Sequence, residues 1–257
     1  MHNILFKTKT TFIMKFNFIN VCAIAALLFS FSITSCKKNN DTTVTFDLEH
    51  RWANTAFSLG QSYVTAGGDS VNLSKLKYLL SNFVFVKSDG SEYKVPESYY
   101  LVNALTPSSF YLDFKDIPEG DYTSVKFIVG VDSARNTAGA QTGALATTND
   151  LYWDWNMGYV FFKAEGTSPK NAMGITYHIG GYGGANAAQR TIAIDFAGSK
   201  LQVRSGKAVE LHASVDVKKV FTNIDLASMA MVHMPGANAL KIADNYATLF
   251  TFEHVHN

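Results

Sequence analysis

Cysteine is nearly missing from this chain. There are two in 257 residues, far fewer than a disulfide-stapled scaffold carries. No surplus of one charge is present either: 22 Lys+Arg stand against 21 Asp+Glu, where a nucleic-acid binder carries a marked basic excess. With 47% hydrophobic residues, the low hydrophobicity that keeps a chain disordered is also absent. The sequence holds no Gly-x-Ser-x-Gly, no His-Glu-x-x-His and no P-loop. Ser74-Lys75-Leu76-Lys77 fits Ser-x-x-Lys, but the companion Ser-Asp-Asn and Lys-Thr-Gly elements are missing. These absences point away from an enzyme. The length leaves ample chain for a buried core in one large domain.

The places of the two cysteines matter more than their number. Residues Met1 to Ser35 hold Lys7, Lys9 and Lys15, no acidic residue, and the apolar run Val21 to Phe29. That is the basic and apolar pattern of a signal peptide, too short for a membrane span; Met14 offers an alternative start. The run ends in Ile33-Thr34-Ser35-Cys36, which resembles the lipobox of bacterial lipoproteins and implies diacylation of Cys36 after removal of residues 1–35. Residues 36–43 then form a polar tether and residues 44–257 the folded domain. Processing removes three lysines and Cys22, leaving 19 Lys+Arg against 21 Asp+Glu. With no free thiol in the folded part, thiol catalysis, zinc ribbons and iron-sulfur clusters are excluded. Membrane attachment then rests on acyl chains, on an outer-membrane lipoprotein facing the periplasm or the cell surface.

The remaining pattern is β. Val44 to Leu48, Asn82 to Val86, Ser124 to Val129, Thr191 to Phe196 and Val209 to Val217 alternate apolar and polar residues or are rich in β-branched and aromatic types. Ser88-Asp89-Gly90, Pro118 to Asp121 and Ala197-Gly198-Ser199 are turn sequences. Helical spacing occurs only at Leu73 to Leu80 and Ala237 to Tyr246. The expected fold is mainly β, a single sandwich-like domain with long loops and little helix.

Among the histidines, His212 falls on the outward side of an alternating strand. His254 and His256 share a face in line with Phe250 and Phe252, where two imidazoles would bind adventitious metal. His50 follows the first strand of the folded part, His178 opens a glycine-rich run read as a mobile loop (Gly180 to Gly184), and His233 lies among Met229, Met231 and Met234. Imidazole with thioether and no thiolate suits copper, Cu(I) above all. Leu151 to Gly166 is dense in aromatics. Alternation places Trp153, Trp155 and Met157 on one face, as core, as a sugar-stacking platform, or as an aromatic wall beside a redox-active metal.

Several blocks in order carry a resemblance: Tyr78 to Phe83, Gly120 to Ser133, Gln141 to Leu145, Trp153 to Tyr159, Glu165-Gly166, His178 to Gly181 and Ile242 to Phe250. Together they resemble the MbnP-like copper-binding proteins, in particular the lipoprotein branch common in Bacteroidetes. The resemblance implies a β-rich fold and copper held by histidines, with His178 in a matching block; His50 and His233 are the expected companion ligands on their local chemistry. It also implies a role in copper acquisition, with a di-haem peroxidase-like partner that oxidises a tryptophan in some members. The competing expectation is a binding or adhesion module that uses Trp153, Trp155 and Tyr159 against a glycan or protein.

Overall fold

The computed structural model describes residues 42–154 and 156–257. The signal segment, Cys36 and Trp155 lie outside the described residues. In chain order the strands are β1 (Thr43–Trp52), β2 (Thr55–Ala56), β3 (Ser62–Val64), β4 (Ser70–Lys87), β5 (Glu92–Lys94), β6 (Tyr99–Asn103), β7 (Tyr111–Lys115) and β8 (Gly120–Val129). They continue with β9 (Tyr152–Asp154), β10 (Gly158–Ser168), β11 (Asn171–Gly180), β12 (Arg190–Asp195), β13 (Leu201–Val203), β14 (Ala208–Asp216), β15 (Met231–Val232) and β16 (Phe250–His256). The smaller sheet runs β16-β14-β1-β2, with β7 also paired to β1. The larger runs β12-β8-β4-β10-β11-β15, with the remaining short strands paired to β4, β8 and β10. The fold is mainly β and sandwich-like, as the alternation predicts.

Period-two alternation builds the interior. β1 turns Val44, Phe46, Leu48, His50 and Trp52 inward, because successive side chains of a strand point to opposite faces. Phe46 reaches across to the larger sheet, meeting Phe83 and Phe127 at ring separations of 6.4 and 6.0 Å. From β16, Phe250 meets Tyr78 and Phe127 at 6.2 and 5.1 Å. Burying an aromatic or aliphatic side chain of this kind is worth about 1.5–3 kcal/mol. The core between the sheets is therefore the main source of stability.

Leu73 to Leu80 is strand, contrary to the helical spacing read from the sequence; all of it belongs to β4. The cause is a pair of β-bulges. Opposite β10 the pairing passes from Gly166↔Leu73 to Glu165↔Lys75, which leaves Ser74 as an extra residue. Opposite β8 it slips again between Ser81 and Val84, where Asn82 has φ +57°. Each bulge flips which parity faces inward: Val71 and Leu73, then Leu76, Tyr78 and Leu80, then Phe83 and Phe85. The resulting three-residue steps imitate a helix. The helix at Ala237–Tyr246 forms where its spacing places it, burying Ala239, Ile242, Ala243 and Tyr246. Among the described residues, no helix is long and apolar enough to cross a membrane.

Candidate metal-binding face of the larger sheet

Residues Lys77, Lys163 and His178 form one row across β4, β10 and β11, since Lys163 pairs with both of the others. Their neighbours Tyr78, Phe162, Tyr177 and Ile179 point into the core, so this row stands on the outer face. Glu165, two residues along β10, joins the row to β11: its Oε1 lies 2.7 Å from His178 Nε2. Lys75 Nζ approaches Glu165 at 3.0 Å and Asp150 at 3.1 Å. Lys163 Nζ, on a side chain only 7% exposed, lies 2.8 Å from Asp150 and 3.4 Å from Glu165.

Charge decides the protonation states. Burial raises the Glu165 carboxyl, but hydrogen bonds from His178 and Lys75 and the charge of Lys163 outweigh it and bring it to about 2. Asp150 comes to about 2 in the same way, through Lys163 and Lys75. Burial pushes His178 below its ordinary value, only partly offset by the hydrogen bond with Glu165. An ionised carboxylate only accepts, so His178 Nε2 carries the proton at neutral pH and Nδ1 is the lone-pair nitrogen. This carboxylate-to-imidazole arrangement is the one that orients metal-ligating histidines.

Acid titration checks these states. Both carboxylates titrate lower in the folded protein than their ordinary values of 4.5 and 3.8. They add stability above those values, and it is lost as pH falls towards about 2. His178 adds to the acid loss from the other side, because its lowered value means the unfolded chain takes up that proton first. Urea midpoints measured from pH 7 to pH 2 are expected to fall on acidification, and Asp150→Asn is expected to flatten the part below about pH 4. Partial exposure keeps that part small. An unchanged profile in the variant would show that Asp150 is not held ionised by the lysines.

Backbone pairing sets the segment before His233 beside β11, and the Trp153 ring lies against Gly180 of that strand. β15 pairs in parallel with β11, Thr176↔Met231 and Tyr177↔Val232, so His233 follows the last pair beside the end of β11 that carries His178. His233 and its neighbours Met231 and Met234 line an open cleft of about 340 Å³. The Trp153 ring closes on Gly180, where a Cβ would stand 2.7 Å from it; a side chain there would displace the indole. A Cβ on Gly181, at φ +117°, would meet Pro235 at 3.3 Å. The start of the glycine run is thus fitted by close packing, where the sequence read it as a mobile loop.

The sequence-level ligand trio does not converge as a whole. His50 faces the core, 5% exposed, with Nε2 2.9 Å from the Tyr78 hydroxyl, on the opposite face of the larger sheet from His178. Burial drops its pKa to about 4, which keeps it neutral. Met157 does not continue the face of Trp153 either: β9 ends at Asp154, whose Oδ1 accepts from the amides of Asn156 and Met157 at 2.8 Å and turns the chain. Tyr159, expected on a stacking platform, is 1% exposed and donates to the Leu145 carbonyl at 2.7 Å. Among the described residues, the three side chains that do gather as metal donors are His212, His254 and His256, on the smaller sheet. Sequence alternation turned His254 and His256 the wrong way.

These features define a two-sheet β protein with an imidazole-carboxylate pair on the outer face of its larger sheet. The MbnP family profile matches residues 41–235, more than half the chain, and the protein belongs to that family. Among solved structures it is similar to MbnP from Methylosinus trichosporium, with 14% identity, a TM-score of 0.50, and coverage of 72% of this chain and 79% of that one. At that identity the likeness is one of fold. No curated protein matches the chain.

Proposed function

We propose that this protein is a lipid-anchored, non-enzymatic copper-binding protein of the bacterial envelope. It is attached through acylated Cys36 and takes part in copper acquisition or handling. The observation that carries the reading is the His178–Glu165 pair, which sets Nδ1 of a neutral imidazole as a donor within the segment matched by the family. His233 and the thioether of Met231 or Met234, from β15 and the residues just after it, supply the rest of a soft donor set. Trp153, over Gly180, shields the end of β11. Copper is the cargo here, and the residues present fit it in the lower oxidation state: Lys75, Lys77 and Lys163 outnumber Glu165 and Asp150, so a monovalent ion meets less repulsion than a dication. His50 serves the core. A di-haem peroxidase-like enzyme acting on Trp153 or Trp155 is the partner this reading calls for.

Competition between the protein and a chromophoric Cu(I) chelator tests it. His178→Ala is expected to weaken Cu(I) binding by at least about 100-fold, since one of few strong donors is lost. Equal affinity in the variant would sink the proposed site.

A further inference from the structure

The smaller sheet carries a second cluster of imidazoles. β14 and β16 pair with His212 opposite His254 and Glu210 opposite His256. Beyond His212 the next pair is Ala213↔Phe252, so Glu253 is an extra residue in β16. That bulge reverses parity: Phe250 and Phe252 pack inward, while His254 and His256 turn outward beside His212. The His212 and His254 rings stack at 4.3 Å and 10°, and His256 stands edge-on to them at 5.1 and 4.8 Å.

Donor spacing suits a single ion. Nε2 of His254 and Nε2 of His256 are 3.1 Å apart; two nitrogens bound to one ion at about 2.0–2.1 Å stand roughly 2.9–3.4 Å apart in right-angle or tetrahedral geometry. One nitrogen from each of the three rings lies within 4.8 Å of the other two, so a ring rotation of His212 closes the set. Asp47, its neighbour on β1, lies 3.2 Å from His212 Nδ1, so the metal takes Nε2, which gives up its contact with Glu210 as the ring turns. Glu210, whose Oε2 is 3.2 Å from that Nε2, is a carboxylate at the rim. Here carboxylates surround the imidazoles where lysines surround His178, so this cluster favours a dication. We infer that His212, His254 and His256 form a site for a divalent late transition-metal ion, separate from the His178 site. His254 and His256 lie beyond the segment matched by the family. Among first-row ions Cu(II) binds such donors most tightly and Zn(II) also suits them.

The untagged full chain titrated with Cu(II), and separately with Zn(II), tests the inference. One Cu(II) per chain is expected at this site, with imidazole nitrogen hyperfine structure in its electron paramagnetic resonance spectrum. The exposed double variant His254→Asn/His256→Asn is expected to lose that signal and weaken binding on the order of 100-fold, while His178→Ala retains it. Thermal melting of the metal-free variants separates loss of ligands from loss of fold; His212→Asn alone, expected to weaken binding without removing the other two imidazoles, gives a second measure. Wild-type Cu(II) affinity and spectrum in the double variant would overturn this site. Loss of Cu(II) binding in His178→Ala alone would overturn it too, and would leave the copper reading of the larger sheet standing.

Discussion

Phe83→Ala is expected to lower the unfolding free energy by about 3–5 kcal/mol, the range for removing a fully buried aromatic ring. Phe83 has no exposed surface and stands at the junction of the two sheets. Its ring lies 4.8 Å from Phe114, 5.1 Å from Phe127, 5.5 Å from Tyr100 and 6.4 Å from Phe46. The bulge at Ser81–Val84 aims it there, and the backbone on both sides is tied: the Phe83 amide donates to Ser98 Oγ at 2.9 Å and its carbonyl accepts from the Val95 amide at 2.8 Å. Tethered walls collapse poorly into the space left by a ring, so the cost should lie well above that of a relaxing site. Urea unfolding is expected to show a lower midpoint with an unchanged slope. A loss below about 1 kcal/mol would mean that the sheets do not meet at this residue.

Glu165→Gln is expected to weaken Cu(I) binding by roughly 10–100-fold, the usual cost of losing the group that orients a ligating imidazole. The carboxylate accepts only, so it fixes the proton on His178 Nε2; an amide accepts through oxygen or donates through nitrogen and fixes nothing. The substitution also removes one of the two carboxylates facing Lys163, whose side chain is 7% exposed, while Asp150 stays at 2.8 Å. A modest drop in melting temperature therefore accompanies the loss of affinity. If melting falls and Cu(I) affinity does not, the pair serves the sheet alone.

Alternation in β1, β8, β12 and β14 was enough to predict a β sandwich, because each of these strands buries one face and period two is then enforced residue by residue. β4 misled, since bulges at Ser74 and Asn82 break that period. The same physics hid the imidazole cluster: Glu253 is unremarkable as a residue, and only its partner strand reveals that it is extra. His178 was legible through its block with Gly180 and Gly181. Its partner Glu165 falls in another block of the same resemblance, but nothing in the spacing of residues 165 and 178 says that they meet across two strands. His50 was misread because histidine after a strand looks functional in sequence. It lies within β1, buried against the Tyr78 hydroxyl through Nε2, while its buried Nδ1 has no hydrogen-bond partner among the described residues.

In the proposed site His178 binds copper through Nδ1 while Glu165 holds Nε2. Side-chain nitrogen-15 NMR of the histidine rings, recorded before and after one equivalent of Cu(I), tests it most directly. His178 is expected as the Nε2-protonated tautomer in the metal-free protein, with a large shift of its Nδ1 resonance on loading and His50 unmoved. Stoichiometric Cu(I) binding that leaves the His178 ring unchanged would contradict it.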